Sequence, residues 1–466
     1  MKTFDKTVPR GGLLAVAAVS ALLWLPAGDA QARAWINGIT GVTTFNITAG
    51  AGEVSTPDGG SIHFWGYQDL GGNDQYQGSA VVPPISGIVG VPQYPGPALI
   101  LNQGDSVTIN LTSSLPFGRC TSMVFPGLQV TASGGTTGAL TQETCPGDAE
   151  PVTYSFTASE PGTYTYYSGT ESELQVEMGL VGAIIVRPSM GEAYAYNHAD
   201  TAFDHEVMFL LTSMDPLIHQ LAEQNRFDEI DLTKRWPVYW FINGRAAPDD
   251  LADPFRSYLP HQPYNCTPRI TPGQKILVRI IGGDQDQHPL HLHGNHYYEI
   301  ARYGRMLASD GNTSGPDLQR GRFTTLSVPG QTVDALFGWT GEKLGWDIYG
   351  TTADGMPAHT CKDTSPADGY GDADSDYPME WCADHDKPFP VVLPENQNLT
   401  FGCWWSGSPF MGAGEVLPPG EGGLNPFFGY FFMWHSHTEK ELTNFDIFPG
   451  GMLSMMVIEP PGTPID

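Results

Sequence analysis

A glycine-containing turn followed by a β-rich run occurs in each half of this chain. In the first half, Ala98 to Leu111 (ALILNQGDSVTINL) is two such runs split by Gly104-Asp105. In the second, Gly273 precedes Gln274 to Ile281 (QKILVRII), which repeats the pattern of Ser106 to Leu111. A strand that alternates in character buries one face and wets the other. Such a unit used twice points to a duplicated β domain. Glu177 to Val186 (EMGLVGAIIV) reads as a strand closing the first copy. Arg187 to Asp204 is polar and irregular, a candidate linker, and His205 to Thr212 (HEVMFLLT) resumes strand character. The expected class is therefore all-β, with two β-sandwich domains over roughly 33–195 and 203–466. The one expected helix is short, around Pro216 to Asp228. The second half is too long for one small sandwich and must carry insertions. The clearest, 346–394, is rich in Gly, Asp and Pro.

Composition fits this reading. Gly 56 and Pro 39 among 466 residues supply many turns, and 11% aromatic residues are enough to build cores. Lys and Arg number 22 against 51 Asp and Glu, a net charge of −29. A surface of that sign repels phosphate backbones and anionic lipid, which excludes nucleic-acid binding as the main role. At the N-terminus, Lys2, Lys6 and Arg10 precede the apolar stretch Gly11 to Pro26, and Ala30-Gln31-Ala32 fits a small-x-small cleavage site. Residues 1–32 thus read as a signal peptide, so the protein is expected to be exported, periplasmic or extracellular. No later stretch is long and apolar enough to span a membrane. Six cysteines in an exported chain imply disulfides, with Cys361–Cys382 and Cys120–Cys145 as local pairs.

The histidines carry the chemistry. His288, His291, His293 and His296 fall in HPLHLHGNH, and His435 and His437 in WHSH. Imidazole is the common ligand of copper, zinc and iron. Residues i and i+2 of a strand share a face. His291/His293 and His435/His437 are therefore expected as two inward pairs on neighbouring strands, able together to hold a metal.

His288-Pro-Leu-His291-Leu-His293-Gly294 resembles the HPxHLHG signature of the multicopper oxidases. Further pieces follow in the family's order: Pro95-Gly96-Pro97 with Gln103-Gly104-Asp105, Thr121 to Leu128 (TSMVFPGL), Gly162 to Ser168 with Gly179 to Ala183, Val328 to Gln331, and Tyr430 to Met452. The resemblance covers nearly the whole chain after residue 32. It implies tandem cupredoxin-like Greek-key β-sandwiches of the two-domain type, copper as cofactor, a small-molecule or metal-ion substrate, and a homotrimer as an oligomeric form.

The departures from the family pattern are as informative. The family places a blue copper on His, Cys, His and usually Met. Here His288 and, less closely, Met452 match, but Ser436 stands at the Cys and Glu441 at the second His. A neutral hydroxyl does not replace a thiolate as a soft ligand. In the first half, Val124, Pro126, Tyr167 and Gly169 stand where the family has histidines. In an alternative alignment, Ser168 stands at a Cys and Gln175 near a distal His. The resemblance then implies that the first domain has lost its copper ligands. The second keeps His291, His293, His435 and His437, with His288 as a further candidate, for one or two Cu ions. No catalytic residue is assigned.

Three functions remain open on this basis: an exported copper-binding protein with a reduced site and no blue copper; a copper-dependent oxidoreductase using a mononuclear or dinuclear His site; and a metal-free structural or partner-binding member. Asp372, Asp374 and Asp376 resemble a calcium loop without its Gly and Glu, so an EF-hand is excluded. His219 shows no metal spacing and reads as structural.

Overall fold

A computed structural model of the chain describes residues 36–71, 76–77, 90–271, 273–311, 313–339, 360–365, 367, 371–375, 382, 415–416, 424–425, 430–459 and 465. The expected signal peptide, most of the 346–394 insertion, Asp376 and Cys403 lie outside the described residues.

The strands form two sandwiches. In the first, Gly162–Tyr167, Val181–Arg187, Leu99–Asn102, Gly38–Ile39 and Tyr76–Gln77 make one sheet. Ser61–Asp69, Thr44–Ser55, Ser106–Ser113, Val152–Thr157 and Thr131–Ser133 make the other. In the second, Tyr239–Ile242, His205–Met214, Lys275–Gly282, Thr332–Gly338, Tyr297–Arg302 and Arg305–Met306 run side by side, with Arg320–Arg322 also on Tyr297–Arg302. Arg269–Ile270, Leu453–Ile458, Tyr430–Ser436, His288–Leu292 and Thr324–Ser327 form the facing sheet.

The duplication read from the turns is a duplication of pairing. Ser106–Ser113 lies parallel to Thr44–Ser55, as Lys275–Gly282 lies parallel to His205–Met214. Val181–Arg187 lies parallel to Leu99–Asn102, as Leu453–Ile458 does to Arg269–Ile270. The turn glycines Gly104 and Gly273 both have positive φ, which explains why glycine marks these places.

The closing strand of the first copy starts later than expected, at Val181, because Glu177 to Gly179 finish a turn after the short helix Ser172–Gln175. The expected helix is Pro216–Glu223, capped by the Asp215 side chain on Leu217 N–H and opened by proline. Residues 187–204 are irregular but not a loose tether, since Ala195, Tyr196 and Phe203 are buried against Leu277 and Ile300. Both described disulfides are the expected local ones, Cys120–Cys145 and Cys361–Cys382.

The sandwiches meet face to face. Val181, Ala183 and Ile185 point to the second sandwich, where Met208, Leu210 and Ile281 cover them. Ile184 and Val186 point back into the first core. A strand buried on both faces reads as a continuous apolar run. That is why VGAIIV shows no alternation.

Charges are buried beside this apolar contact. Glu206 accepts from Arg187 Nη1 at 2.7 Å and from Arg279 Nε at 3.1 Å. Arg279 Nη1 reaches Thr163 Oγ1 of the first sandwich at 2.9 Å, and the Tyr196 hydroxyl donates to Asp334 at 2.5 Å. Burial alone would raise the Glu206 carboxyl. The two guanidinium groups outweigh it and hold the group at about 2.

Glu206→Gln should therefore cost about 3–5 kcal/mol in urea unfolding, because it leaves two buried guanidinium charges short of their counterion. The sign with pH follows. Glu206 stabilises the fold fully above its unfolded value near 4.5, and that contribution is lost as pH falls toward about 2. Unfolding free energy should decline across this window more steeply in the wild type than in the variant.

Candidate metal centre

The centre is built from two antiparallel strands. His288–Leu292 pairs with Tyr430–Ser436 so that His291 lies directly opposite His435. Cross-strand neighbours on one face come within about 4.5–5.5 Å at Cβ. The partner two residues along each strand joins them, because the side-chain period is two. Backbone bonds carry the arrangement past the strand ends: His293 N–H donates to Met433 O at 3.0 Å, and His437 N–H to Pro289 O at 2.8 Å.

The four imidazoles converge as the spacing predicts. Ring centroids are 4.6 Å apart for His293 and His435, 4.9 Å for His291 and His437, 5.3 Å for His291 and His293, and 5.4 Å for His291 and His435. One nitrogen from each of His291, His293 and His435 lies within 4.8 Å of the others. His435 is buried, His291 and His293 are half-buried, and His437 is exposed at the rim.

Partners of the opposite nitrogens fix which atoms face inward. His435 Nδ1 donates to Ser436 O at 2.6 Å, and His291 Nδ1 meets Thr324 Oγ1 at 2.8 Å. Their Nε2 atoms are left for the centre, and His435 Nε2 is 2.6 Å from His293 Nε2. Burial, reinforced by neighbouring imidazoles, pushes His291 down to about 4 and His293 down to about 3, and lowers His435 as well. These rings are neutral at ordinary pH, the form that ligates a metal. Metal–imidazole bonds of about 2.0–2.1 Å require nitrogens roughly 3 Å apart. Three neutral imidazole nitrogens within 4.8 Å of one another form a donor set whose chemistry fits copper or zinc.

His288 is not part of this group. It is fully buried, with Nδ1 3.0 Å from Glu441 and Nε2 3.1 Å from Asp284. Burial opposes charge on this ring, but Asp284 and Glu441 outweigh it and hold the imidazole protonated, up to about 10. Ser436 Oγ donates to the same Glu441 at 2.5 Å. Met452 is buried in the second core. Sequence reading found His288, Ser436 and Glu441 but missed Asp284 and Thr324. Strand pairing brings Thr324 to His291, whereas Asp284 reaches His288 from the loop four residues earlier.

The first sandwich repeats this layout with other residues. Val124 and Tyr167 bridge each other as His291 and His435 do. Thr121 and Ser168 both donate to Gln175 Oε1, at 2.9 and 2.7 Å. Thr121, Ser168 and Gln175 thus form a neutral counterpart of His288, Ser436 and Glu441. A Cβ on Gly169 would meet Val124 Cγ1 at 2.7 Å, so the position is packed shut. Met123 is core, and Tyr167 packs on the contact between sandwiches. In the acidic loop, Asp372 is taken by Thr364 and Asp374 by Lys362.

His288→Leu should cost about 3–5 kcal/mol in chemical denaturation, since it leaves the buried Glu441 without its cation and Asp284 with Arg235 alone. Thr324→Val, which removes one half-buried hydrogen bond, should cost only about 1 kcal/mol.

Comparison with known proteins bears on this layout. Residues 85–191 match the family model described as multicopper oxidase. The chain is 36% identical over 99 residues to laccase abr2 of Aspergillus fumigatus, covering 21% of this chain and 16% of that protein. It is 29% identical over 175 residues to L-ascorbate oxidase of Cucurbita pepo var. melopepo, covering 35% and 28%. With copper resistance protein A of Escherichia coli it shares 28% over 215 residues, covering 41% and 34%. The matched stretches span between 15% and 34% of the curated relatives' own lengths. Among solved structures, a blue copper oxidase from Nitrosomonas europaea aligns over 90% of this chain and 85% of its own, with a TM-score of 0.49 and 16% identity.

Proposed function

The chain being a relative of the multicopper oxidases, matched to that family through residues 85–191, we propose that it is an exported copper-binding protein with a reduced copper site and no blue copper. The observation that carries this reading is the opposed pair His291 and His435, with His293 beside them and His437 at the rim. These residues would hold one Cu ion, or two. Bound copper supplies a Lewis-acid and one-electron centre. The protein's part is to keep His291, His293 and His435 neutral, to fix the His435 tautomer through Ser436 O, to orient His291 through Thr324 Oγ1, and to leave the His437 side open to solvent.

Two features support the missing blue site. No thiol stands at Ser436, and the His288 nitrogens are both spent on carboxylates. An imidazolium has no lone pair for a metal. In the first sandwich, the positions equivalent to the four imidazoles hold Val124, Pro126, Tyr167 and Gly169, which carry no imidazole, thiolate or carboxylate. Export is supported by the basic and apolar N-terminus and by two disulfides, which persist in oxidising compartments. Among the described residues, no helix is long and apolar enough to cross a membrane.

A second reading, a copper-dependent oxidoreductase, is favoured by the exposed His437 and the half-buried His291 and His293, which leave the centre in reach of solvent. A homotrimer and a small-molecule or metal-ion substrate belong to this reading.

The test is metal content. Mature protein loaded with Cu²⁺ and desalted should retain copper with an ordinary, non-blue EPR signal and no intense thiolate-to-copper band. His293→Ala with His435→Ala should abolish that retention. Wild-type protein emerging without copper sinks the proposal, and an intense blue band sinks the absence of the blue site. Turnover of phenols, metal ions or nitrite by wild type but not by the double variant would establish the second reading.

A further inference from the structure

A second group of ligating side chains lies in the first sandwich, away from the four imidazoles. Glu53 and His63 are direct cross-strand partners in the hairpin of Thr44–Ser55 and Ser61–Asp69. Glu223, the last residue of the Pro216–Glu223 helix, joins them, and one ligand atom from each of the three lies within 4.8 Å of the others.

The placement is held rigidly from beneath. His219 is buried on the same helix, one turn before Glu223, and its Nδ1 donates to the His63 carbonyl oxygen at 2.5 Å. Residues i and i+4 share a helix face. The contact that pins the helix to His63 therefore aims Glu223 at the His63 side chain.

The group is electrostatically unfinished. Glu53 lies 3.1 Å from His63 Nδ1. Glu223 makes no hydrogen bond or ion pair among the described residues. It also sits at the negative end of its helix, whose last turn holds no basic residue. The other ring nitrogen of His63, Nε2, is buried and has no hydrogen-bond partner. Two carboxylates are brought together at a helix C-terminus in a chain of net charge −29.

We propose that Glu53, His63 and Glu223 bind a divalent transition cation, Zn²⁺ or an ion of similar softness, that clamps the helix to the hairpin. One imidazole with two carboxylates suits zinc. Calcium prefers an all-oxygen shell of six or more ligands, which these residues do not provide. Three protein ligands leave the remaining positions to water, as the exposure of both glutamates allows. The role is structural, since the cation joins a helix to a hairpin. The proposal stands independently of the copper reading, because the two groups share no residue.

The experiment is calorimetric titration of chelator-stripped mature protein with Zn²⁺, together with thermal melts. Glu53→Gln with Glu223→Gln keeps shape at two exposed positions and should lose one equivalent of zinc and the accompanying rise in Tm. His293→Ala with His435→Ala, which removes uptake by the imidazole centre, should still take up the equivalent that E53Q/E223Q loses. Equal stoichiometry and equal Tm gain in wild type and E53Q/E223Q would overturn the proposal, as would loss of all zinc uptake in H293A/H435A.

Discussion

The antiparallel register that sets His291 against His435 is the constraint on which the centre depends. A slip of one residue would turn every side chain of His288–Leu292 to the other face. His291 and His293 would then enter the second core, and Leu290 and Leu292 would leave it. Both leucines are fully buried, packed in one cluster with Trp434 and Met456. The apolar half of the strand therefore fixes the register, and the imidazoles inherit their positions from it. Packing makes the site before any ligand does.

The same frame in the first sandwich shows how sequence alters chemistry without altering architecture. Val124 and Tyr167 occupy the bridge that His291 and His435 occupy in the second copy. Behind them, Thr121, Ser168 and Gln175 satisfy one another as neutral hydrogen-bonding groups. In the second copy the corresponding place holds a fully buried charge, His288 between Asp284 and Glu441. Both solutions satisfy buried polar groups that would otherwise lie unpaired in an apolar interior. The charged one is the more demanding. Removing one partner of a buried charge network leaves the others uncompensated.

Charge also organises the contact between the sandwiches. Arg279 and Glu206 stand on neighbouring strands of the second sandwich, and Arg187 and Thr163 come from the first. Arg235 makes a parallel link by reaching Glu177 at 2.5 Å from the other side of the boundary, while it also donates to Ser213 Oγ at 2.7 Å. In a chain of net charge −29, Arg235 and Arg279 each face more than one carboxylate. Those at this boundary are buried, so their partners are fixed and their interactions little screened by salt. Met208 and Leu210 supply the apolar part of the same contact.

Local chemistry made much of this protein legible in its sequence. The glycine turns and β-rich runs determined an all-β class and a repeated unit, because positive φ and strand periodicity are properties of a few neighbouring residues. The HxH spacing determined which imidazoles share a face, because i and i+2 point the same way on any strand. The identities of Val124, Pro126, Tyr167, Gly169, Ser436 and Glu441, none of them an imidazole or a thiol, are likewise read directly from the sequence. Tertiary structure alone decided the rest. It set His288 apart from its neighbours by delivering Asp284 and Glu441 to both ring nitrogens. It brought Thr324 to His291, turned the irregular 187–204 segment into a buried seam, and carried Glu223 on a helix to a hairpin some 160 residues earlier in the chain. Apart from Asp284, which lies four residues before His288, those partners meet across long sequence separations. No local pattern encodes them, because they follow from the packing of apolar faces that each element shares with many alternatives.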